Sequence, residues 1–322
     1  MKKTAIILAC LLCHEKVFCW GFYAHQKINF FAVFLLPPEM MVLYKPNISF
    51  LSEHAVDPDK RRYSLAAEAP RHYIDIDHYG PYPFAALPRK WDDAVMKFPA
   101  DSLQKYGIVV WWIPIMEQRL TKAFREKDQT KILRLSAEIG HYIADAHVPL
   151  HVCSNHNGQL TDQQGIHAFW ESRIPEMLAE KEWDFFIGKA EYISRPTDFI
   201  WKRILESAAA ADTVLRYERA LSHQFRDDRK YAFEDRNGVI TRQYSSAYAL
   251  AYNGKLNNMI ERRMRASIYA IASFWYTAWI DAGQPDLKQL IHKNFSSDEL
   301  REFETLNAQW KNGRVKGVDR EE

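Results

Sequence analysis

Glycine and proline are scarce in this chain, at 12 and 14 of 322 residues. So few turn punctuators over this length argue against many short strands and favour long helices. The only hairpin-type dipeptides are Asn157-Gly158, Asn237-Gly238, Asn253-Gly254 and Asn312-Gly313. Cysteine is rarer still, with four residues, three of them within the first nineteen. Charge of one sign is also lacking: 43 basic residues face 41 acidic ones. That balance excludes a basic footprint for wrapping nucleic acid and a polybasic membrane patch. No run after the N-terminus reaches the roughly 18 apolar residues of a membrane span. Ser267 to Ile280 (SIYAIASFWYTAWI) reads instead as a buried core helix.

The N-terminus differs from the rest. Lys2 and Lys3 precede an apolar run from Ala5 to Cys13, and Val17-Phe18-Cys19 follows with a cleavage-type pattern. Residues 1–19 therefore read as a secretory signal, and the mature chain is expected to begin at Trp20, secreted or periplasmic. Cleavage removes Lys2, Lys3, Lys16 and Glu15, which leaves a balanced charge. It also leaves Cys153 alone, so no intramolecular disulfide forms and stability must come from the core or from bound metal.

Apolar residues recur at helical spacing over 23–35, ending before Pro37-Pro38. A second helix is expected over 39–52, and 57–88 reads as a long ordered loop rich in Pro, Asp, His and Tyr. Helices are predicted over 101–126 and 129–147. In the latter, Ile132, Leu135, Ile139, Tyr142, Ile143 and Ala146 keep the spacing of a buried face. Further helices are predicted over 166–180, 196–222 and 243–282, with a polar loop at 152–163. The expectation is one all-α domain over 20–311 and a charged, frayed tail over 312–322.

Three of the 12 histidines crowd into HYIADAHVPLH, residues 141–151. Residues four apart on a helix point the same way, so His141 and Asp145 can reach one metal ion. Pro149 ends that helix and the turn beyond delivers His151. The next helix repeats the device with His167 and Glu171. Two His-x-x-x-carboxylate pairs with a third histidine at the break are a helical route to a multi-metal site, and imidazole with carboxylate suits zinc. Trp20 to His25, and the stretch from Asp57 through His72 to His78, are further candidate clusters. Asp57 and Asp59 both have a tolerable spacing to His72, and Asp57 is preferred. Of the remaining residues, His147 is either a partner orienting a ligand or a surface residue, and Asp75 and Asp77 are supporting candidates.

The pattern resembles the superfamily of zinc-dependent phospholipases C and single-strand-specific nucleases, over residues 20–171. The resemblance implies an all-α fold holding three zinc ions in one cleft. One ion would take Asp57, His72, His141 and one oxygen of Asp145. A neighbour would take the other oxygen of Asp145, His25, and the amine and carbonyl of Trp20. The third would take His151, His167 and Glu171. Asp57 would also hold the attacking water. A free α-amine has a pKa of about 7.7–8.0, so it can lose a proton to zinc near neutral pH, whereas an amide within a precursor cannot.

The reaction implied is hydrolysis of a phosphodiester, either a phospholipid head group or single-stranded nucleic acid, with no stable nucleic-acid complex. His167-Ala-Phe-Trp170 has nuclease-like wording, while Glu171 and the short His151-to-His167 interval resemble the phospholipases. The nucleases carry Gly-Gly-Asn after Pro-Leu-His. This chain has Ser154-Asn-His-Asn-Gly158, which leaves Asn155 as a substrate-binding candidate. Tyr73, after the loop histidine, is placed either to stack a base or to pack in the core. Two other readings compete: a non-catalytic zinc-binding protein of the same fold, and a di-iron helical-bundle oxidoreductase. The latter would want Glu-x-x-His spacing.

Overall fold

Proline, glycine and asparagine cut the expected helices where their backbone chemistry demands it. The computed structural model describes residues 21–236, 238–290, 295–313 and 315–316. The segment expected to be a signal, 1–19, and Trp20 lie outside the described residues. Helix α1 (Phe22–Ala32) runs into a 3₁₀ turn, Val33–Leu35. The second expected helix is two, α2 (Pro38–Tyr44) and α3 (Ile48–Glu53), because Pro46 cannot continue a helix. A 3₁₀ turn, His54–Val56, then leads into α4 (Asp57–Arg61). The helix expected over 101–126 is likewise divided, after α5 (Trp91–Lys97), into α6 (Ala100–Lys105) and α7 (Val109–Glu126). Gly107 makes that break at φ +88, where an added Cβ would lie 2.2 Å from the Tyr73 carbonyl oxygen.

Helix α8 (Gln129–Ala146) carries the first His-x-x-x-Asp pair, and the Asp128 carboxylate caps it by accepting from the Lys131 amide at 3.1 Å. After the polar loop, α9 (Ile166–Ala168) passes through a π turn, Phe169–Arg173, into α10 (Ile174–Glu182). Then come α11 (Pro196–Ser222) and α12 (Asp227–Lys230). A hairpin of β1 (Tyr231–Arg236) and β2 (Val239–Tyr244) follows, antiparallel with Tyr231 opposite Tyr244. The expected long helix 243–282 is α13 (Ser246–Lys255) and α14 (Met259–Asp281), parted by left-handed Asn257 and Asn258. Helix α15 (Ser297–Asn312) ends the order, opened by a Ser296–Glu299 capping box. Beyond it, Lys316 N donates to the Arg62 carbonyl at 2.8 Å, and residues 317–322 of the expected tail lie outside the described residues.

The protein is mostly helical, and the hairpin is the one sheet among the described residues. Helices α1, α7, α8 and α14 pack together around the core. Tyr142, Ile143, Phe274 and Trp275 are wholly buried. Polar groups tie this core together: the Trp275 indole donates to the Ser136 carbonyl at 3.0 Å. The Asn29 amide donates to the carbonyls of Leu51 at 3.1 Å and Ala137 at 3.0 Å, so α1 is tied to α3 and α8. Gly140 allows this approach, since a Cβ there would lie 2.1 Å from Asn29 Oδ1. These ties hold α1 and α8 in the register that brings His25 beside His141. No helix among the described residues is long and apolar enough to cross a membrane.

Candidate metal centre

His141 and Asp145 lie one turn apart on α8, wholly buried, with His141 Nε2 3.3 Å from Asp145 Oδ2. His141 Nδ1 donates to the Ala55 carbonyl at 2.8 Å. A carbonyl only accepts, so the proton sits on Nδ1 and Nε2 carries the lone pair. On α1, the His25 ring stacks on that of His141 at 3.8 Å, with His25 Nε2 3.4 Å from Asp145 Oδ1. His72 comes from the 57–88 segment. Its Nδ1 is 3.1 Å from Asp145 Oδ2 and 3.0 Å from His141 Nε2. Asp59 on α4 completes the cluster, with Oδ1 3.6 Å from His141 Nε2 and 3.7 Å from His72 Nδ1.

Two donor groups result, His25–His141–Asp145 and Asp59–His72–His141. The two oxygens of Asp145 address different neighbours, Oδ1 facing His25 and Oδ2 facing His72 and His141. A third group is His151–His167–Glu171. His167 Nε2 and Glu171 Oε2 are 3.0 Å apart, and His151 Nε2 is 3.5 Å from the same oxygen. Pro149 ends the approach from α8 and starts the 3₁₀ turn Pro149–Val152, which presents His151. His151 Nδ1 donates to the His72 carbonyl at 2.7 Å, which fastens the third group to the second. Glu171 lies in the π turn, a local widening that recurs at functional sites.

The donor chemistry fits cations. A tetrahedral ion with bonds of about 2.0–2.1 Å separates its ligand atoms by about 3.3 Å, and the separations here run from 3.0 to 3.7 Å. Both oxygens of Asp59 and both ring nitrogens of His25 are buried with no hydrogen bond among the described residues. Burial pushes the Asp59 carboxyl up to about 8, against the pull of His141, and pushes Asp145 well above its ordinary range. Burial, with neighbouring imidazoles, also holds His25 and His72 well below theirs, so these rings are neutral. Neutral imidazoles offer lone pairs, and the buried carboxyls, which hold their protons in the metal-free protein, become ligands when a divalent cation displaces those protons.

Several expectations are corrected. Asp57 is not in the cluster: it accepts from His54 Nδ1 at 2.6 Å and from Lys60 Nζ at 3.1 Å. Burial raises its pKa, but these partners outweigh burial and hold it below the ordinary value. Residues two apart on a helix lie on nearly opposite faces, so on α4 only one of the two aspartates can face the histidines, and it is Asp59. Tyr73 is no stacking platform, because its ring is buried and its hydroxyl donates to the Lys105 carbonyl at 3.0 Å. Asn155 is a loop brace. It donates to Thr161 Oγ1 at 3.0 Å and accepts from the Leu160 amide at 2.8 Å. His147 is wholly buried, with Nδ1 donating to the Ile143 carbonyl at 2.7 Å, which excludes the surface role. Asp77 accepts from the Ser154 hydroxyl at 2.6 Å and so holds the loop that follows His151.

One residue escaped the sequence reasoning. Glu68 is wholly buried, with Oε1 3.8 Å from His72 Nε2, the ring nitrogen opposite the cluster. It also accepts from the Tyr142 hydroxyl and from Arg71. At that distance there is no hydrogen bond, but the negative charge behind a ligand imidazole raises its basicity. The signal was present, since Glu68 and His72 are four apart. Trp20 lies outside the described residues. Its neighbour Gly21 sits against the π turn, where an added Cβ would be 2.4 Å from Ser172 Oγ.

No family model matches the chain, and no curated protein matches it. The donor set itself carries the functional reading.

Proposed function

We propose that this protein is an exported zinc-dependent phosphodiester hydrolase holding three ions. The observation that carries this reading is the junction of three donor groups: His141 is common to the first two, Asp145 of the first also faces His72 of the second, and the His72–His151 hydrogen bond joins the third. When bound, zinc lowers the pKa of a water toward 7 and neutralises charge on a phosphoryl group. The chain's own contribution is positioning. Ala55 and His72 hold His141 and His151 through backbone carbonyls, and Glu68 backs His72. Asp59 is the carboxylate placed to ligate, and to orient a water on the side of His72 and His141. The mature amine of Trp20, a residue outside the described ones, is the remaining donor of this reading, on the ion of His25 and Asp145.

The metal ions also explain how a chain of balanced charge attracts an anionic substrate. Di-iron chemistry is disfavoured because bundle di-iron sites take Glu-x-x-His pairs, whereas α8 and the π turn offer His-x-x-x-carboxylate. The test is hydrolysis of bis-(p-nitrophenyl) phosphate by the mature chain. Activity abolished by a chelator and restored by zinc supports the reading. A zinc-loaded chain inert toward this diester, single-stranded DNA, RNA and phosphatidylcholine contradicts it.

A further inference from the structure

One helical turn sets His141 against Asp145, and another sets His167 against Glu171. No single element sets His151 against His167. The segment 152–165 separates them, and α9, which carries His167, has only 3 residues. A single turn does not hold itself in place, so contacts from outside must fix its direction.

Those contacts converge on Gln163, which is buried. The Ile166 amide, which opens α9, donates to the Gln163 carbonyl at 3.1 Å. The Gln163 backbone amide donates to the Gly158 carbonyl at 3.0 Å, and its Oε1 accepts from the Thr161 hydroxyl at 2.8 Å. Gly158 sits at φ +73, and an added Cβ there would lie 2.6 Å from the Gln163 Cβ. The turn before α9 is therefore closed around this one residue. The side-chain amide reaches out of the turn to α11. Its Nε2 donates to Glu218 Oε2 at 2.5 Å and to the Leu215 carbonyl at 2.9 Å. Both of its N–H groups are thus used. Helix α11 also packs on the 3₁₀ turn Pro149–Val152 that presents His151. One helix then supports both histidines.

Glu218 suits this task. It is buried, and a buried carboxylate is costly unless several donors meet it. The Tyr248 hydroxyl donates to Oε1 at 2.6 Å, and Lys230 Nζ lies 3.0 Å from the same oxygen. That leaves Oε2 aimed at Gln163. A charged acceptor makes the stronger kind of hydrogen bond. Buried ion pairs add little net stability, and their best use is to fix one arrangement.

We infer that Gln163, latched to Glu218, is a positioning residue for the third metal ion. It sets α9 so that His167 and Glu171 meet His151. The inference rests on the metal-centre reading, and it concerns the third ion alone. The donors of the first two groups come from α1, α4, α8 and the 57–88 segment, which this latch does not hold.

The test uses the mature protein and two variants. Gln163→Met keeps the side-chain length, removes the latch, and leaves Glu218 with Tyr248 and Lys230. Lys230→Met removes the charge partner of Glu218 and leaves the latch. In a chelator competition, Gln163→Met is expected to release one of three zinc ions about tenfold or more faster than wild type and to keep the other two as tightly. Lys230→Met is expected to melt at a lower temperature and to keep all three. In the chelated proteins, hydrogen exchange at the Ile166 amide is expected to quicken about tenfold or more in Gln163→Met and to stay unchanged in Lys230→Met. A third ion held as tightly in Gln163→Met as in wild type would overturn the inference. So would zinc loss that follows melting temperature in both variants, or unchanged exchange at Ile166 in Gln163→Met. A wild type that binds no zinc sinks the metal-centre reading and takes this inference with it. A wild type with three ions and a Gln163→Met variant equally tight sinks this inference alone.

Discussion

Asp59 makes opposite demands on the metal-free and metal-loaded protein. Its carboxyl is buried with no hydrogen bond among the described residues, and burial raises it to about 8. In the unfolded chain it titrates near 3.8. Between these values the folded metal-free protein binds the extra proton, so its stability falls as pH rises from about 4 to about 8. Each pH unit costs at most about 1.4 kcal/mol, which comes to about 4 kcal/mol at pH 7. Asp59→Asn removes that penalty. The chelated variant should therefore be more stable than chelated wild type at pH 7, and the gap should close near pH 4. With zinc the order reverses, because the wild type gains a ligand that the variant lacks, and binding adds stability by mass action. Denaturant unfolding at pH 4, 5.5, 7 and 8, with and without zinc, reads all of this. Asp57→Asn is the control: it breaks the pair with His54 and Lys60, costs about 1–3 kcal/mol, and leaves zinc content intact. If Asp57→Asn lost zinc while Asp59→Asn kept it, the assignment on α4 would be wrong.

Three further outcomes follow from the geometry. Asp145→Asn, which removes the carboxylate facing both of the first two donor groups, should cut bound zinc from about three ions to about one by elemental analysis. Glu68→Gln should weaken zinc retention about 10–100-fold in a chelator competition while leaving the far-UV spectrum unchanged. A retention equal to wild type would remove Glu68 from the site. Gly140→Ala places a methyl 2.1 Å from Asn29 Oδ1, and overpacking of this kind should cost about 1–3 kcal/mol in denaturant unfolding.

Helix periodicity made most of the histidine cluster legible. His141 with Asp145, and His167 with Glu171, are fixed by the four-residue helical repeat, and Pro149 marks the turn that presents His151. Where the backbone was not a regular long helix, spacing lost its power. Asp57 and Asp59 differ by two residues, and only knowledge that α4 is helical separates their faces. Glu68 precedes a 3₁₀ turn in what reads as loop, so its four-residue relation to His72 carried no weight. The long helices over 101–126 and 243–282 were overdrawn because left-handed positions at Gly107 and at Asn257 and Asn258 divide them. Asn237-Gly238 was the hairpin signal, and the flanking Tyr231, Phe233, Ile240 and Tyr244 are residues suited to strands. Scarcity of glycine and proline argued for helices throughout and hid that one exception.

The most direct test of the central claim is elemental analysis of the mature chain beginning at Trp20, purified without chelator and dialysed against trace zinc. The account predicts about three zinc ions per chain and little iron. Zero or one zinc per chain, or iron in their place, would contradict it.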